Sequence, residues 1–500
     1  MTWDVIVVGS GNAALCAGIA ALEKGASVLI TEKALPDLAG GNSKYTAGAM
    51  RFAYDSHEDL LPLLRNPDDP RLARTNFGSY TKEKFGADLL GFNAGRPLSW
   101  EQEILINESY DVLSWLATHD IRFEPIYSRQ SFEKDGRFVF WGGLTLAADN
   151  EGVGLVDAEL QRFLALGGQI EYDSAAIALL RQDGRVTGVT VRSSSGSTRE
   201  LSARAVVLGC GGFESSPELR AKYIGQQWVK AKVRGTPHNT GDGLKLAFEL
   251  GAQPHGLFEG CHATPMDLHM ADYGNLDLPH LERKHYRKIC YFLGVMLNAR
   301  GKRFVDEGVD FRNYTYAQFG RAVLEQPKQL AWQIFDHKVD HLLYSEYKFH
   351  DAHFVEADTL EELVELLEGI DDKAAALRTI REFNDAVDDS RPFDPTIKDG
   401  KGTNGLALAK SNWAQTLDQG PFRAYPVTGG ITFTYGGIKI DSQGSVIDTN
   451  GNPIAGLFAC GEMVGGVFFN GYPGGSGLTS GAVFGRRAGW GAASASLTAA

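Results

Sequence analysis

The first 33 residues of the chain combine two apolar runs with a glycine turn and an alanine-rich segment. Residues 3–8 and 27–32 are short and apolar, as in strands that a parallel sheet buries on both faces. Between them, a glycine-rich turn leads into an alanine-rich run that continues to Gly25 and favours a helix. The pattern therefore predicts a strand, a helix and a second, parallel strand in one βαβ unit.

The turn of this unit has the residue types that a bound dinucleotide requires. Gly9 permits a tight turn, Gly11 has no Cβ to block a pyrophosphate, and Ala14 lets the helix pack closely. The helix N-terminus offers N–H groups to phosphates, and Glu32 ends the second strand, where it can bind ribose hydroxyls. We predict a dinucleotide site whose residues are Gly9, Gly11, Asn12, Ala13, Ala14, Glu32 and Lys33.

A second glycine-rich segment, residues 40–51, carries small hydroxyl and amide side chains. Such a loop can wrap a polar cofactor and reach towards its ring, whereas the alternative is an ordinary solvent loop. We predict that its Gly41, Asn42, Ser43, Thr46, Ala47 and Gly48 contact the cofactor.

The next readable pattern is a helix followed by a small β-meander. The helix opens at Val153, and the meander strands cover residues 168–172, 176–180 and 186–191. A buried strand over residues 205–213 then ends in glycines, among them Gly211, at the ligand edge of the predicted sheet. Asp242 precedes a predicted helix, either as a cap or as a further cofactor contact.

Glycines become frequent again near the end of the chain, in residues 428–437, 456–466 and 472–478. The last of these segments enters an apolar helix that runs through residue 489. Its N-terminus is a second candidate site for an anion or a carbonyl group. The predicted cofactor-binding residues here are Gly461, Glu462, Ser476, Gly477 and Leu478.

Glycine-built motifs thus occur at both ends of the chain, with cap-like helical segments between them. The predicted fold class is α/β, with a Rossmann-like cofactor domain split in sequence and an inserted α+β capping domain for the substrate. We place the two parts of the cofactor domain at residues 1–295 and 433–500 and the capping domain at residues 296–432.

The composition of the chain limits the kinds of ligand and partner that it is expected to bind. The chain has 500 residues and a net charge of −13, which argues against a nucleic acid as the partner but permits a small anionic substrate. Five scattered cysteines without a C-x-x-C pair argue against disulfides, zinc and Fe–S clusters. Without a signal peptide or an apolar run of about 20 residues, the chain is expected in the cytoplasm with no transmembrane segment. Docking to a membrane through a redox partner stays open.

Cationic side chains concentrate between residues 262 and 312 of this acidic chain. They include His262, Arg287, Arg303 and Arg312, and several together favour a negatively charged ligand. For Arg303 and Arg312, a structural salt bridge with Glu307 or Asp310 is the alternative.

The order of motifs resembles the FAD flavoproteins of the fumarate reductase and succinate dehydrogenase superfamily over nearly the whole chain. The resemblance is carried by residues 4–11, 32–33, 40–48, 239–243, 301–305, 435–437, 461–462 and 484–486. Residues 40–51, 410–414 and 469–475 are similar to those of FAD-dependent tricarballylate dehydrogenases. That resemblance implies FAD, two-electron desaturation of tricarballylate to cis-aconitate, and a separate protein that accepts the electrons.

Several positions depart from the fumarate reductase pattern. Asp340 stands where a catalytic arginine is expected, Phe433 replaces a substrate-binding histidine, and Tyr472 replaces a substrate arginine. These departures argue against efficient fumarate reduction, although His262 matches the superfamily's His-Pro-Thr histidine. Residues 43–46 lack the flavin-linking histidine of succinate dehydrogenases, so FAD is expected to bind noncovalently.

Three alternatives remain open at this stage. Residues 472–474 also resemble the tyrosine-containing loop of 3-ketosteroid dehydrogenases; the others are an ene-reductase like the fumarate reductases and a flavin-binding electron-transfer or biosynthetic subunit. For a desaturase, we predict Tyr472, His262, Arg312 and Arg303 as catalytic residues. The predicted substrate-binding residues are Arg287, Arg423, Phe433 and Tyr435.

Overall fold

The structure is a computed structural model that describes residues 2–498. The strands of this part of the chain are β1 (Thr2–Val8), β2 (Val28–Thr31), β3 (Ala49–Met50), β4 (Thr75–Asn76), β5 (Phe123–Pro125), β6 (Ser131–Lys134), β7 (Arg137–Phe140), β8 (Leu146–Ala148), β9 (Gln169–Glu171), β10 (Ala175–Gln182), β11 (Arg185–Arg192), β12 (Thr198–Leu208), β13 (Lys232–Val233), β14 (Pro254–His255), β15 (Cys261–Asp267), β16 (Val295–Asn298), β17 (Ala331–Phe335), β18 (Val355–Ala357), β19 (Phe422–Thr434), β20 (Gly437–Ile438), β21 (Ser445–Ile447) and β22 (Pro453–Ala459). The α-helices are α1 (Asn12–Glu23), α2 (Lys82–Gly91), α3 (Trp100–Thr118), α4 (Tyr127–Gln130), α5 (Glu151–Ala165), α6 (Pro217–Tyr223), α7 (Asp242–Glu249), α8 (Arg312–Leu324), α9 (Leu360–Leu366), α10 (Lys373–Ala386) and α11 (Ser476–Thr498).

The first large sheet brings the two ends of the chain together. Its order is β10-β11-β12-β1-β2-β9, and β22 pairs with β12 and with β21. The four strands β22, β12, β1 and β2 run parallel, as does β9 beside β2. Parallel strands buried on both faces need apolar residues throughout, and β1 and β2 supply them. The βαβ unit predicted from the sequence is therefore present.

Helix α11 packs directly against α1. The two helices can approach closely because both have small residues at the contact. A Cβ on Gly485 would lie 2.9 Å from the Cβ of Cys16, closer than side chains approach. Ala13, Ala17 and Ala20 on α1 are small as well, so the helix axes can approach closely. The helix that the sequence predicts through residue 489 extends to Thr498.

The second large sheet has the order β13-β19-β17-β16, with β15 and β18 also paired to β19. The long strand β19 is buried along most of its length, and the chain then passes through β20, which pairs with β14, before β21 and β22 join the first sheet. Strands β13 and β15 come before residue 296, so this sheet uses segments on both sides of that predicted boundary. We propose the domains 1–295, 296–432 and 433–500, in which β13 and β15 of the first segment extend the sheet of the second.

Most of the helices and strands predicted from periodicity lie within a few residues of their expected positions. The three strands predicted as a β-meander are β9, β10 and β11, but the predicted arrangement is wrong for β9, which pairs in parallel with β2 at the other edge of the sheet. The antiparallel strands are β10, β11 and β12, and β12, the buried strand before the glycines, ends earlier than predicted, at Leu208. None of the helices in residues 2–498 is both long enough and apolar enough to cross a membrane. The mixed α/β class predicted from the sequence is confirmed.

Candidate cofactor and substrate site

One large cavity lies where the carboxyl ends of β1, β2, β12 and β22 meet the second sheet. It is lined by residues from both sheets and has an empty volume of about 2020 Å³, part of which is open to solvent. Ligands of α/β proteins bind outside the carboxyl ends of parallel strands, and this cavity has that position.

The turn after β1 forms one wall of the cavity. Gly9 has a φ of +102°, and a Cβ there would lie 2.6 Å from the backbone oxygen of Gly209, so only glycine fits. Helix α1 begins after Gly11, and the N–H of Asn12 donates to the hydroxyl of Ser43, 3.1 Å away. The first two glycine-rich segments are thus held together at the helix N-terminus.

Glu32 lines the same wall and is nearly buried. Its carboxylate accepts hydrogen bonds from the hydroxyl of Ser10 at 2.6 Å and from the N–H of Ala34 at 2.7 Å. Burial raises the pKa of Glu32, although these two bonds oppose the effect. Lys33 extends sideways and forms an ion pair with Asp242, at 2.8 Å.

Most of the predicted cofactor residues line this cavity. They are Gly9, Gly11, Asn12, Ala13, Glu32, Lys33, Gly41, Asn42, Ser43, Thr46, Ala47, Gly211, Asp242, Gly461, Glu462, Gly477 and Leu478. Ala14, Gly48 and Ser476 lie outside the lining. Ala14 packs beneath Gly209, Gly48 packs on the backbone of Glu151, and the hydroxyl of Ser476 donates to the Pro473 carbonyl.

At the far end of the cavity four arginines come together, two of which the sequence did not single out. Arg287 and Arg312 were predicted, whereas Arg129 and Arg234 were missed; all four line the cavity and are largely buried. Arg234 donates from Nε to the hydroxyl of Thr432 at 3.0 Å, and Arg312 donates to the backbone oxygen of Arg129 at 2.8 Å.

Only part of this positive charge is balanced. Glu346 is fully buried and pairs with Arg287 at 2.7 Å and with Arg129 at 3.3 Å. Burial raises the pKa of Glu346, but Arg129, a backbone hydrogen bond, His285 and Lys288 together hold it below the usual value. Within residues 2–498, neither Arg234 nor Arg312 has a carboxylate within 4.0 Å. The cavity therefore has an electropositive end that suits carboxylate groups.

Aromatic rings form the wall between the arginines and the glycine-rich loops. Tyr472, Phe433 and Tyr435, all predicted, line the cavity together with Tyr316, which was missed. The hydroxyl oxygens of Tyr316 and Tyr472 lie 2.7 Å apart. Burial raises the pKa of Tyr472 well above its usual value, although Arg234 opposes that shift. Its hydroxyl is therefore neutral and can donate a hydrogen bond.

His262 lies behind this wall and does not line the cavity. Its ring stacks on Phe433 with centroids 5.4 Å apart and meets Tyr316 and Tyr472 edge-on. The side chain is fully buried, and burial together with Arg234 holds its pKa well below the usual value. His262 is therefore neutral and contributes packing to the aromatic wall.

Two other predicted cations are engaged elsewhere. Arg303 pairs with the buried Glu307 at 2.5 Å, which is the structural alternative considered from the sequence. Arg423 pairs with Asp340 at 3.0 Å and with Glu356 at 2.5 Å, and it does not line the cavity. Arg312, by contrast, forms no pair with Asp310, whose partner is Lys398.

The cofactor end of the cavity fits a dinucleotide. A Cβ on Gly11 would meet nothing nearer than 3.4 Å, and one on Gly477 nothing nearer than 3.6 Å. Both glycines face the cavity, so any side chain at either position would project into the space that a ligand needs. The N-terminus of α1 and the acid at the end of β2 lie at the same wall.

Comparisons with known proteins agree with this fit. A family model described as "FAD binding domain" matches residues 4–478. The fumarate reductase (cytochrome) of Shewanella frigidimarina is 28% identical to this chain, covering 98% of it and 76% of that protein. The 4-oxocyclohexanecarboxylate 2-dehydrogenase of Sinomonas cyclohexanicum is 26% identical, covering 95% of this chain and 89% of that protein.

A solved structure has the same fold. The open conformation of a flavocytochrome c3 fumarate reductase superimposes with a TM-score of 0.73 at 26% identity, covering 99% of this chain and 79% of that one. The flavoprotein superfamily predicted from the motifs is thus confirmed, and so is FAD as the cofactor. The closer likeness to tricarballylate dehydrogenases stays a prediction.

Proposed function

Since this chain belongs to the FAD binding domain family and is an FAD-dependent oxidoreductase of the fumarate reductase type, we propose that it desaturates a small substrate carrying several carboxylates. The specific reaction we propose is the oxidation of tricarballylate to cis-aconitate. FAD, when bound, accepts the two electrons and one hydrogen of the C–C bond that is oxidised, and the second hydrogen leaves as a proton to a general base.

The observation that carries this proposal is the cluster of Arg129, Arg234, Arg287 and Arg312 at one end of the cofactor cavity. Arg234 and Arg312 have no carboxylate within 4.0 Å in the part of the chain that the structure describes, and arginine binds carboxylates through paired hydrogen bonds. A substrate with more than one carboxylate would supply the missing negative charge. An uncharged steroid would leave these buried charges unbalanced, at a large cost in free energy.

Arg234 and Arg312 hold the carboxylates and fix the orientation of the bond that is oxidised. Tyr316 donates its hydroxyl hydrogen to the oxygen of Tyr472, and Tyr472 donates to the carboxyl oxygen on which negative charge develops. Such a donor acts most strongly when the site is closed to water. Tyr472 is buried and Tyr316 is partly buried, which supports this role.

FAD is proposed to bind noncovalently, because Gly41–Tyr45 and Thr46 include no histidine to link it. A separate protein is proposed to take the electrons onward, and the cytoplasm is the proposed compartment. Noncovalent binding of FAD is tested by acid precipitation, which releases a noncovalent flavin into the supernatant.

A dye-linked assay tests the proposed reaction. Purified holoenzyme is given tricarballylate, succinate or a 3-ketosteroid with an artificial electron acceptor, and the product is identified by NMR. We expect cis-aconitate from tricarballylate and little turnover of the other two compounds. Turnover of the steroid alone would contradict the proposal and favour the keto-lipid alternative.

The Arg423→Gln variant serves as a matched control in this assay. It removes a predicted arginine whose charge is already balanced by Asp340 and Glu356 outside the cavity. Its activity should equal that of the wild type, while loss of Arg234 or Arg312 should lower turnover strongly when the substrate concentration is below the wild-type KM.

A further inference from the structure

A buried glutamate outside the predicted cofactor residues joins two cofactor loops. Glu214 follows β12 and is fully buried. Its Oε1 accepts hydrogen bonds from the side-chain amides of Asn42 and Asn239, each at 2.6 Å. Both asparagines line the FAD cavity, and they come from loops almost 200 residues apart in the chain.

A second acid, Glu462, lies beside Glu214. The Oε2 atom of Glu214 is buried without a donor among the described residues. The N–H of Phe213, next to Glu214 in the chain, lies 3.5 Å from the Thr434 hydroxyl that donates to Glu462, and the two carboxyl groups interact. Glu462 lines the cavity, and its Oε1 accepts from the N–H and hydroxyl of Thr434 at 2.6 and 2.9 Å. Two ionised carboxylates cannot face each other in a buried site, so one proton must lie between them.

No cation neutralises this pair within residues 2–498. Arg220 interacts with Glu214 through its charge but donates its hydrogen bonds to the backbone oxygens of Ala231 and Val229. Tyr273 donates to a backbone oxygen next to Glu214, and Lys33 is paired with Asp242 across the cavity. Burial, with little compensation, therefore raises the pKa of Glu214 well above the usual range and raises that of Glu462 as well.

We propose that Glu214 is a positioning residue for FAD. Its carboxyl group stays protonated and donates a hydrogen bond to Glu462, and it thereby holds Asn42 and Glu462 in place around the cofactor. The pair then carries one negative charge. Glu214 acts through its neighbours and does not line the cavity. The inference rests on FAD binding and is independent of the substrate proposed above.

The shared proton makes FAD retention depend on pH. When the pair loses its proton, two negative charges face each other, the bond between Glu214 and Glu462 is lost, and the anchored loops separate. Where that proton is required for binding, the dissociation constant of FAD rises about tenfold for each pH unit above the titration of the pair.

The experiment measures free flavin by fluorescence after holoenzyme is equilibrated at pH values from about 6 to about 10. This range lies above the reference pKa of an ordinary glutamate, so it covers the titration of a carboxyl group with a raised pKa. Glu214→Gln retains a neutral donor towards Glu462 and cannot ionise. We expect it to bind FAD as the wild type does at pH 6 and to retain FAD at alkaline pH, where the wild type releases it.

Glu159→Gln is the matched control. Glu159 is also a fully buried acid with an unpartnered oxygen, but its only described donor is Cys16 and it does not line the cavity. Its variant should release FAD with the pH profile of the wild type. Because no substrate is used, failure of the desaturase proposal would leave the result unchanged.

Infrared spectroscopy of the holoenzyme supplies a second readout that does not depend on flavin loss. The carbonyl band of a protonated carboxylic acid should be present at neutral pH and lose intensity in Glu214→Gln. The proposal would be overturned by pH profiles that coincide in wild type and Glu214→Gln, or by a carbonyl band that the substitution leaves unaltered. Loss of FAD from Glu214→Gln at pH 6 would also overturn it, because the neutral donor would then be insufficient.

Discussion

The hydroxyl oxygens of Tyr316 and Tyr472 lie 2.7 Å apart, although 156 positions separate the two residues in the chain. Tyr316 is on α8, and Tyr472 is in the loop before α11, so the contact joins a helix and a distant loop at the cavity. One hydroxyl can donate to the other while the second remains free to donate to a ligand. This geometry places a polarised hydrogen-bond donor beside the arginine cluster.

Replacing Tyr472 with Phe should lower turnover about 10²- to 10³-fold, as removal of one oxyanion donor does in other enzymes. FAD should stay bound, because the hydroxyl contacts Tyr316 and the ring still packs on Phe433 and Phe468. Steady-state kinetics with the bound flavin quantified by absorbance checks both points. Tyr110→Phe, which removes a hydroxyl far from the cavity, is the control; equal activity of the Tyr472 variant and this control would refute the assigned role.

Replacing Arg234 with Met should raise the KM for a carboxylated substrate by about 10- to 100-fold, the effect of losing a charge-assisted hydrogen bond of 1.5–3 kcal/mol. Arg312→Met should act in the same direction. Lysine at either position retains the charge but not the paired hydrogen bonds, so it should restore only part of the affinity. A KM that stays at the wild-type value in both Met variants would show that the substrate binds elsewhere.

Replacing Arg303 with Met should destabilise the fold by about 3–5 kcal/mol, since it leaves the buried carboxylate of Glu307 without its partner. The activity of the protein that remains folded should be normal. Thermal unfolding and kcat per bound flavin separate the two effects. Arg381→Met, which breaks an exposed pair with Glu361, should cost less than about 1 kcal/mol. A stable but inactive Arg303 variant would instead favour the catalytic role expected from the sequence.

Acid should destabilise the protein partly through His262. The unfolded histidine gains a proton below about pH 6.5, whereas the native one, with its lowered pKa, does not. The unfolded state therefore binds more protons, and stability falls by up to about 1.4 kcal/mol per pH unit as pH drops below 6.5. This loss continues until the native pKa is reached.

The His262→Phe variant isolates this contribution, because Phe fits the same aromatic wall and cannot ionise. Thermal unfolding is measured at pH 7.5, 6.5 and 5.5, which spans about one pH unit on each side of the reference histidine pKa. The variant should gain stability relative to the wild type as the pH falls. A constant difference between the two proteins across this range would mean that His262 titrates normally.

The sequence predicted the cofactor half of the molecule well because its signals are local. The turn at Gly9 and Gly11, the helix after it and the acid at Glu32 are consecutive in the chain, and each follows from backbone geometry at one position. All of them line the cavity, as do residues of the glycine-rich segments 40–51, 456–466 and 472–478. Strand periodicity likewise located β9, β10 and β11, but it did not show that β9 pairs with β2 rather than with β10.

The substrate half was harder to predict because it depends on which side chains the fold brings together. Arg129 and Arg234 carry no motif, and only the pairing of β13 with β19 places Arg234 beside Thr432. Arg303 and Arg423 resemble the cavity arginines in sequence but point to nearby acids. One local signal could have indicated Arg234. It is a basic residue that directly follows a β-strand and precedes Gly235 and Thr236.

Anaerobic reduction of the bound flavin tests the central claim most directly. Wild-type holoenzyme is mixed with tricarballylate in a stopped-flow instrument, and flavin absorbance is followed beside Arg234→Met and Arg423→Gln. The account predicts rapid bleaching in wild type and Arg423→Gln, and bleaching that is slow or absent in Arg234→Met at the same concentration. Absence of bleaching in the wild type, or equal bleaching in all three proteins, would contradict the proposed carboxylate site.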